Sequence, residues 1–95
     1  MLARELASNG IRVNVVVPGM TRTPLVEVLM EQRAREFGTD LRSAVQMELS
    51  QRGVPLARLD EPWEVAEAVL YLAKASFCTG TILNISGGNV RAVMC

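Results

Sequence analysis

The stretch RVNVVVPGMTRTP, residues 12–24, decides how this chain folds. Its first half is rich in β-branched residues that alternate between an apolar face and a face that begins polar, so we predict a strand over residues 11–17. Pro18 has no backbone N–H to give to a sheet, which predicts that the strand ends there. Thr23 followed by Pro24 is typical of a helix start, with threonine as the N-cap and proline in the first turn. The stretch therefore predicts a strand that leads through a short loop into a helix.

Helical patterns surround this strand. Residues 1–10 have the pattern of the last turns of a helix, with Gly10 placed for a left-handed cap. Residues 24–52 predict two amphipathic helices, and because they are rich in charge and poor in large apolar residues we expect a surface flap rather than a core layer. Residues 62–75 predict the most regular helix. Its two neighbouring apolar rows indicate a wide buried stripe: Val65, Val69, Leu72 and Ala66, Leu70, Ala73.

A second strand is predicted over residues 81–86, where Gly87 and Gly88 close it. The tail, residues 89–95, has no pattern that predicts an element. Strand, helix and strand in this order are typical of an α/β fold with a parallel sheet and a crossover helix. Because two strands alone do not form a stable sheet, we expect a further element beside the apolar first strand.

The composition excludes several classes of function. The 95 residues are 49% hydrophobic and 21% charged, which is typical of one small globular domain. Zero net charge with 4% aromatic residues gives neither a basic surface nor a stacking platform for nucleic acid. No apolar run approaches the roughly 20 residues that span a bilayer, and the N-terminal residues lack a signal peptide's apolar segment. We therefore expect a cytoplasmic protein with no nucleic-acid or membrane partner.

Catalysis and metal binding by the common side chains are also restricted. The chain contains no histidine, which excludes a Ser-His-Asp triad and histidine-ligated zinc within it. Its two cysteines, Cys78 and Cys95, are too few and too far apart in sequence for a metal site, and we interpret them as free thiols. The sequence therefore predicts no metal site.

Three segments together resemble the C-terminal part of a short-chain dehydrogenase/reductase: LARELASNGIRVNVVVPGMTRTP, VPLARLDEPWEVAEAVLYLA and TGTILNISGG. They follow one another in the order and nearly the spacing of that family and extend from Leu2 to about Gly88. The resemblance implies the C-terminal portion of a Rossmann-type doubly wound parallel sheet, with two strands, substrate-lid helices over residues 24–52 and one crossover helix. It also implies NAD or NADP as the cofactor, and hydride transfer between that cofactor and a carbonyl or alcohol substrate.

The resemblance also assigns residues to the cofactor, because in this family the loop that matches residues 18–24 approaches the nicotinamide. It implies that main-chain groups of Thr21 bond the carboxamide and that the hydroxyl of Thr23 reaches the carboxamide or a phosphate. Pro18 and Gly19 would shape the turn and let the cofactor approach. For Thr23, a role as a helix cap alone is the alternative.

The family's catalytic residues have no counterpart in this sequence. Its Gly-rich phosphate-binding turn, catalytic serine and Tyr-x-x-x-Lys pair precede the helix that matches residues 1–10, and the chain contains neither that glycine spacing nor that Tyr–Lys spacing. Its only tyrosine and lysine, Tyr71 and Lys74, are three residues apart on the predicted helix 62–75, so we interpret them as structural packing. We therefore predict no catalytic residue, and little or no cofactor binding by this chain alone.

Two functions of different class follow as alternatives. The chain is the C-terminal fragment of an NAD(P)-dependent oxidoreductase, inactive without the missing part. Alternatively, it is a non-catalytic interaction module that joins itself or full-length relatives through residues 62–86, which match a subunit interface of the family. A third alternative is an unstable product with no role of its own.

Overall fold

A computed structural model describes residues 1–89 of the chain. Along it follow α1 (Leu2–Leu6) with a 3-10 turn (Ala7–Asn9), β1 (Val15–Pro18), α2 (Pro24–Phe37), α3 (Leu41–Arg52), α4 (Pro62–Lys74) and β2 (Ile82–Ile85). The two strands form one parallel sheet, which confirms the predicted α/β class. The predicted tail covers residues 89–95, and of these only Asn89 is among the described residues, so Cys95 lies outside them.

The first strand is shorter than predicted, because residues 11–14 do not join the ladder. Polar side chains take the hydrogen bonds there. The Val13 N–H donates to Thr79 Oγ1 at 3.1 Å, and the Asn14 side-chain oxygen accepts from the Thr81 N–H at 3.0 Å. The second strand is also one residue shorter at each end than the predicted 81–86.

The strand ends at Pro18, as predicted, and the proline itself is its last residue, one beyond the predicted range 11–17. Pro18 is paired with Ile85 in the parallel register. Alternate residues of β1 donate to β2, shown by the bonds from the Val15 N–H to the Thr81 oxygen (2.9 Å) and from the Gly19 N–H to the Ile85 oxygen (2.8 Å). The nitrogen of Pro18 therefore faces the open side of β1, where a proline removes no bond of this sheet.

The helices α2 and α3, expected as a surface flap rather than a core layer, contact each other and no other helix or strand among residues 1–89, and they bury their shared face. Met30 on α2 and Leu49 on α3 are 1% and 2% exposed, the most completely buried large side chains among residues 1–89. Each helix also buries an alanine, Ala34 and Ala44. Small side chains let two helices approach closely, so this pair needs few large apolar residues to bury its contact face.

The predicted wide buried stripe of α4 is mostly wrong, because of its six residues only Leu72 is buried. Ala68 and Leu72 are buried, and the helix contacts both strands. Leu70 is 57% exposed, and the other members of its row, Ala66 and Ala73, are exposed as well. Val69, in the other predicted row, is 50% exposed, so the described two-stranded sheet covers a narrower strip of the helix than predicted.

Arg12 connects the approach to β1 with the end of α4. Its guanidinium donates to the carbonyl oxygens of Leu72 (2.8 Å), Ala73 (2.8 Å) and Cys78 (3.2 Å). The last carbonyls of a helix have no partner within the helix, and a cation at this end also interacts favourably with the helix dipole. The sequence marked Arg12 only as a polar strand residue, and its capping role is visible only in the fold.

Candidate functional site

The candidate site is the loop between β1 and α2, residues 19–23, at the carboxyl end of the parallel sheet. This is the end at which open α/β sheets bind ligands. A Cβ on Gly19 would lie 3.0 Å from the Cα of Ser86, closer than side-chain carbons normally approach a backbone. Glycine is therefore required at position 19, because any side chain there would collide with the end of β2. The predicted approach of a cofactor to Pro18 and Gly19 stays a prediction.

The main chain of Thr21 is held from one side by Asp60. The Arg22 N–H donates to the Asp60 oxygen at 2.7 Å, and the Asp60 N–H donates to the Met20 oxygen at 3.0 Å, which makes a single parallel bridge between Thr21 and Asp60. In such a bridge the central residue turns its own N–H and C=O to the opposite side. Within residues 1–89, no hydrogen bond uses these two groups of Thr21. They present a donor and an acceptor side by side, which suits a planar carboxamide.

The side chains of the same two residues also meet. The Thr21 hydroxyl donates to Asp60 Oδ2 at 3.3 Å, which is long for an O–H···O bond, so the main-chain bridge is the stronger link. Burial raises the pKa of Asp60, while the bond from Thr21 lowers it in part. Asp60 had no assigned role in the sequence, since an acidic residue before a helix is common and carries no signal of a distant partner.

Residues 58–64, here named the clasp, hold Asp60 in place. Arg58 donates to both carboxylate oxygens of Glu64, at 2.8 and 2.9 Å, and Glu64 Oε1 also accepts from the Glu61 N–H at 3.0 Å. The hydrogen bond from Arg58 is the main reason why the pKa of Glu64 falls to about 2. Glu61 in turn accepts from Arg22 Nε at 2.8 Å, so the clasp reaches the loop through a side chain as well.

Thr23 is the N-cap of α2, as predicted. Its hydroxyl oxygen accepts from the Val26 N–H at 3.2 Å, and Pro24 occupies the first turn. A threonine hydroxyl has one donor and two acceptor positions, so this bond leaves its proton available for a second partner. The cap is confirmed, and the cofactor contact of Thr23 stays a prediction beside it.

A cleft of about 330 Å³ lies beside the loop, on the side of Asp60. Asn84 and Ser86 line it from the end of β2, and Asn84 Oδ1 and Ser86 Oγ are buried with no hydrogen-bond partner among the described residues. Leu49, Val54 and Leu56 form an apolar wall. Because the free groups of Thr21 point away from Asp60, this cleft is not the space that they face.

The side chains considered as a possible catalytic pair are not part of this site. Tyr71 and Lys74 lie in the C-terminal half of α4, whereas the clasp contacts the loop from the beginning of that helix. Tyr71 is 62% exposed, so the expected structural packing is not found within residues 1–89. The same residues contain no group of three or more acidic, histidine or cysteine side chains that could hold a metal ion. None of the described helices is long and apolar enough to cross a membrane.

Comparisons with known proteins agree with the arrangement of strand, loop, helix pair and crossover helix. The profile of the enoyl-(acyl carrier protein) reductase family matches residues 1–89. The 3-oxoacyl-[acyl-carrier-protein] reductase of Thermotoga maritima is 42% identical over 90 residues, which cover 93% of this chain and 31% of that protein. The chain therefore spans about a third of the length of the curated relatives that it matches.

Solved structures give the same result. A short-chain dehydrogenase family protein of Francisella tularensis superposes with a TM-score of 0.80 at 37% identity, over 94% of this chain and 37% of that one. The L-sorbose reductase of Gluconobacter frateurii, solved with NADPH and L-sorbose, superposes with a TM-score of 0.82 at 26% identity, over 95% of this chain and 35% of that one. The described fold is part of a Rossmann-type sheet, and this chain belongs to the short-chain dehydrogenase/reductase family.

Proposed function

We propose that this chain supplies the nicotinamide side of the active site in an NAD(P)-dependent oxidoreductase that acts on a carbonyl or alcohol substrate. One observation carries the proposal: the Thr21 N–H and C=O lie at the carboxyl end of the sheet, fixed by Asp60 and free of partners within residues 1–89. The relative solved with NADPH supports the choice of a nicotinamide cofactor.

The proposed role of these residues is to bind and orient. The nicotinamide, when bound, accepts or donates the hydride. Thr21 bonds the carboxamide with its main chain and thereby sets which face and edge of the ring meet the substrate. Thr23 adds its hydroxyl proton, and the turn at Pro18 and Gly19 brings the loop to the ring. Proton transfer to the substrate in this family is assigned to a Tyr-x-x-x-Lys pair, a spacing that these 95 residues do not contain.

The isolated chain should therefore be inactive and bind coenzyme weakly. Contacts at the nicotinamide end alone do not offset the cost of ordering a large, flexible dinucleotide. Calorimetry with NADPH and NADH, and an assay of coenzyme oxidation with a panel of ketones, check this. Micromolar binding, or an activity that the substitution Tyr71→Phe removes, would contradict it.

A chimera tests the proposed function. In the reductase chimera, this chain replaces the matching segment of the Thermotoga maritima reductase. We expect the chimera to bind NADPH or NADH more tightly than the same coenzyme lacking nicotinamide, and to reduce a 3-oxoacyl substrate. Thr21→Pro removes the N–H that faces the carboxamide and should weaken coenzyme binding about tenfold, whereas Leu25→Ala, at an exposed position of α2, should not. A folded chimera that binds the intact coenzyme no more tightly than the coenzyme lacking nicotinamide would refute the proposal.

The second candidate function, an interaction module, is favoured by one surface. The second row of α4 and the turn that follows expose large apolar side chains, with Leu70 57% exposed and Phe77 completely so; Trp63, Tyr71 and Ile82 are exposed on the same segment. Several large exposed apolar side chains on one segment are typical of protein–protein contacts. We propose that residues 62–86 pair with a second copy or a full-length relative. Sedimentation of the chimera should show an oligomer that Leu70→Asp dissociates and Leu25→Asp does not.

The cytoplasmic location stays a prediction.

A further inference from the structure

We infer that Glu64 is a positioning residue for the nicotinamide, although it contacts neither the loop nor the free groups of Thr21. The inference rests on the proposed function. In this inference the carboxylate of Glu64 fixes the position of Asp60. Asp60 in turn fixes the direction in which the main-chain groups of Thr21 point.

The contacts converge on Glu64 from both sides of Asp60. Arg58 lies two residues before Asp60 and makes two bonds to this carboxylate. Glu61 directly follows Asp60, and its N–H donates to the same carboxylate. The residues that flank Asp60 are therefore held by one side chain, and Asp60 is left with its N–H and C=O directed at Met20 and Arg22.

The other links between clasp and loop are weaker candidates. Arg22 and Glu61 share a single hydrogen bond, which restricts their distance but not their orientation. The Thr21 hydroxyl reaches Asp60 only at 3.3 Å. A bidentate arginine–carboxylate pair that also caps a helix fixes geometry better than either, because its two parallel bonds restrict orientation as well as distance.

The principal test compares two ligands in the reductase chimera. Glu64→Gln removes the charge and places an amide against Arg58. We expect it to weaken binding of the intact coenzyme about fivefold and to leave binding of the coenzyme lacking nicotinamide, ADP-ribose or its 2′-phosphate, unchanged. Glu67→Gln, an exposed glutamate on the same helix, is the matched control and should change neither.

Each other outcome has a distinct meaning. If Glu64→Gln leaves both affinities unchanged, or weakens both equally, Glu64 does not position the nicotinamide. If the unaltered chimera folds but gains no affinity from the nicotinamide, the proposed function fails first and the inference falls with it.

A second measurement uses the reductase chimera in the absence of coenzyme. Glu64→Gln should accelerate amide hydrogen exchange at Arg22, whose N–H is bonded to Asp60, more than at Val15, whose N–H is bonded to Thr81 in the sheet. Equal acceleration at both amides indicates general destabilisation and would overturn the inference.

Discussion

Arg12 shows how one side chain replaces the partners that a helix end lacks. It satisfies three carbonyl oxygens around the end of α4. We expect Arg12→Ala to destabilise the reductase chimera by about 2 kcal/mol, since hydrogen bonds to a charged group contribute more than neutral ones. The stability of Arg12→Lys should lie between that of the unaltered chimera and that of Arg12→Ala, because one ammonium group cannot reproduce the planar array of donors of a guanidinium. Urea denaturation measures both, with Arg35→Ala, an exposed arginine of α2, as control. Equal stability of all three variants would show that solvent satisfies these carbonyls as well.

Thr23 allows the cap and the predicted cofactor contact to be separated. Aspartate caps a helix as well as threonine but has no proton to donate, so Thr23→Asp should keep the stability of the chimera and weaken coenzyme binding. Thr23→Ala should lower the stability by about 1 kcal/mol and also weaken coenzyme binding, whereas Thr23→Ser should change neither. Chemical denaturation and calorimetry give the two readouts. Unchanged coenzyme affinity in Thr23→Asp would leave the cap as the whole role of this residue.

Glu64 predicts a specific dependence of stability on pH. Its pKa in the folded chain is about 2, below the ordinary value of 4.5. A lowered pKa means that the charged form is favoured by folding, so this contribution is complete above the ordinary value and is lost as the pH falls towards 2. The stability difference between the chimera and its Glu64→Gln variant should therefore be constant near neutral pH and shrink below about pH 4.5. Denaturation midpoints over this range check it, and a difference that persists at pH 2 would contradict it.

At the scale of elements, the open side of β1 is the feature with the largest consequence. The main chain of Val16 faces that side in the parallel register, and Val15 and Val17 expose their side chains on the sheet face that α4 does not cover. An apolar strand edge of this kind is a template for pairing with another chain. The nitrogen of Pro18 faces the same side and has no N–H to donate, so pairing with another chain stops at that end of the strand.

We expect the isolated chain to self-associate through this strand. Val15→Lys should reduce the association, because it places a charge beside the exposed edge, whereas Leu25→Lys removes an even more exposed apolar side chain from α2 and should have little effect. Analytical ultracentrifugation of the three proteins measures this. A monodisperse monomer with a sharp, cooperative melt would contradict the expectation.

The elements were predictable to the extent that their signals are local. The caps at Gly10 and Thr23 and the start of α4 at Pro62 depend on neighbouring residues and are confirmed. The length of β1 was not predictable, since it depends on hydrogen bonds of Val13 and Asn14 with Thr79 and Thr81, which lie more than 60 positions later in the sequence. The same applies to the site. The loop was identified by resemblance, but Asp60, which fixes Thr21, carries no sequence signal of its distant partner.

At the scale of the whole molecule, the chain is extended rather than compact. Its radius of gyration is 16.8 Å, against about 12 Å for a compact domain of this length. The apolar residues buried among residues 1–89 are few and half of them are alanines: Ala3, Met30, Ala34, Ala44, Leu49, Leu59, Ala68 and Leu72. The uncovered sheet face and the exposed row of α4 are large surfaces that further structure has to cover in a stable protein. This supports the proposal that the site is completed by residues outside this chain.

The crystal structure of the reductase chimera with its bound coenzyme tests the central claim most directly. We predict that the nicotinamide carboxamide accepts from the Thr21 N–H and donates to the Thr21 C=O, each at about 2.9 Å, while the bridge between Thr21 and Asp60 is retained. A well-ordered nicotinamide whose carboxamide is bonded elsewhere, with the Thr21 N–H and C=O facing water, would contradict it.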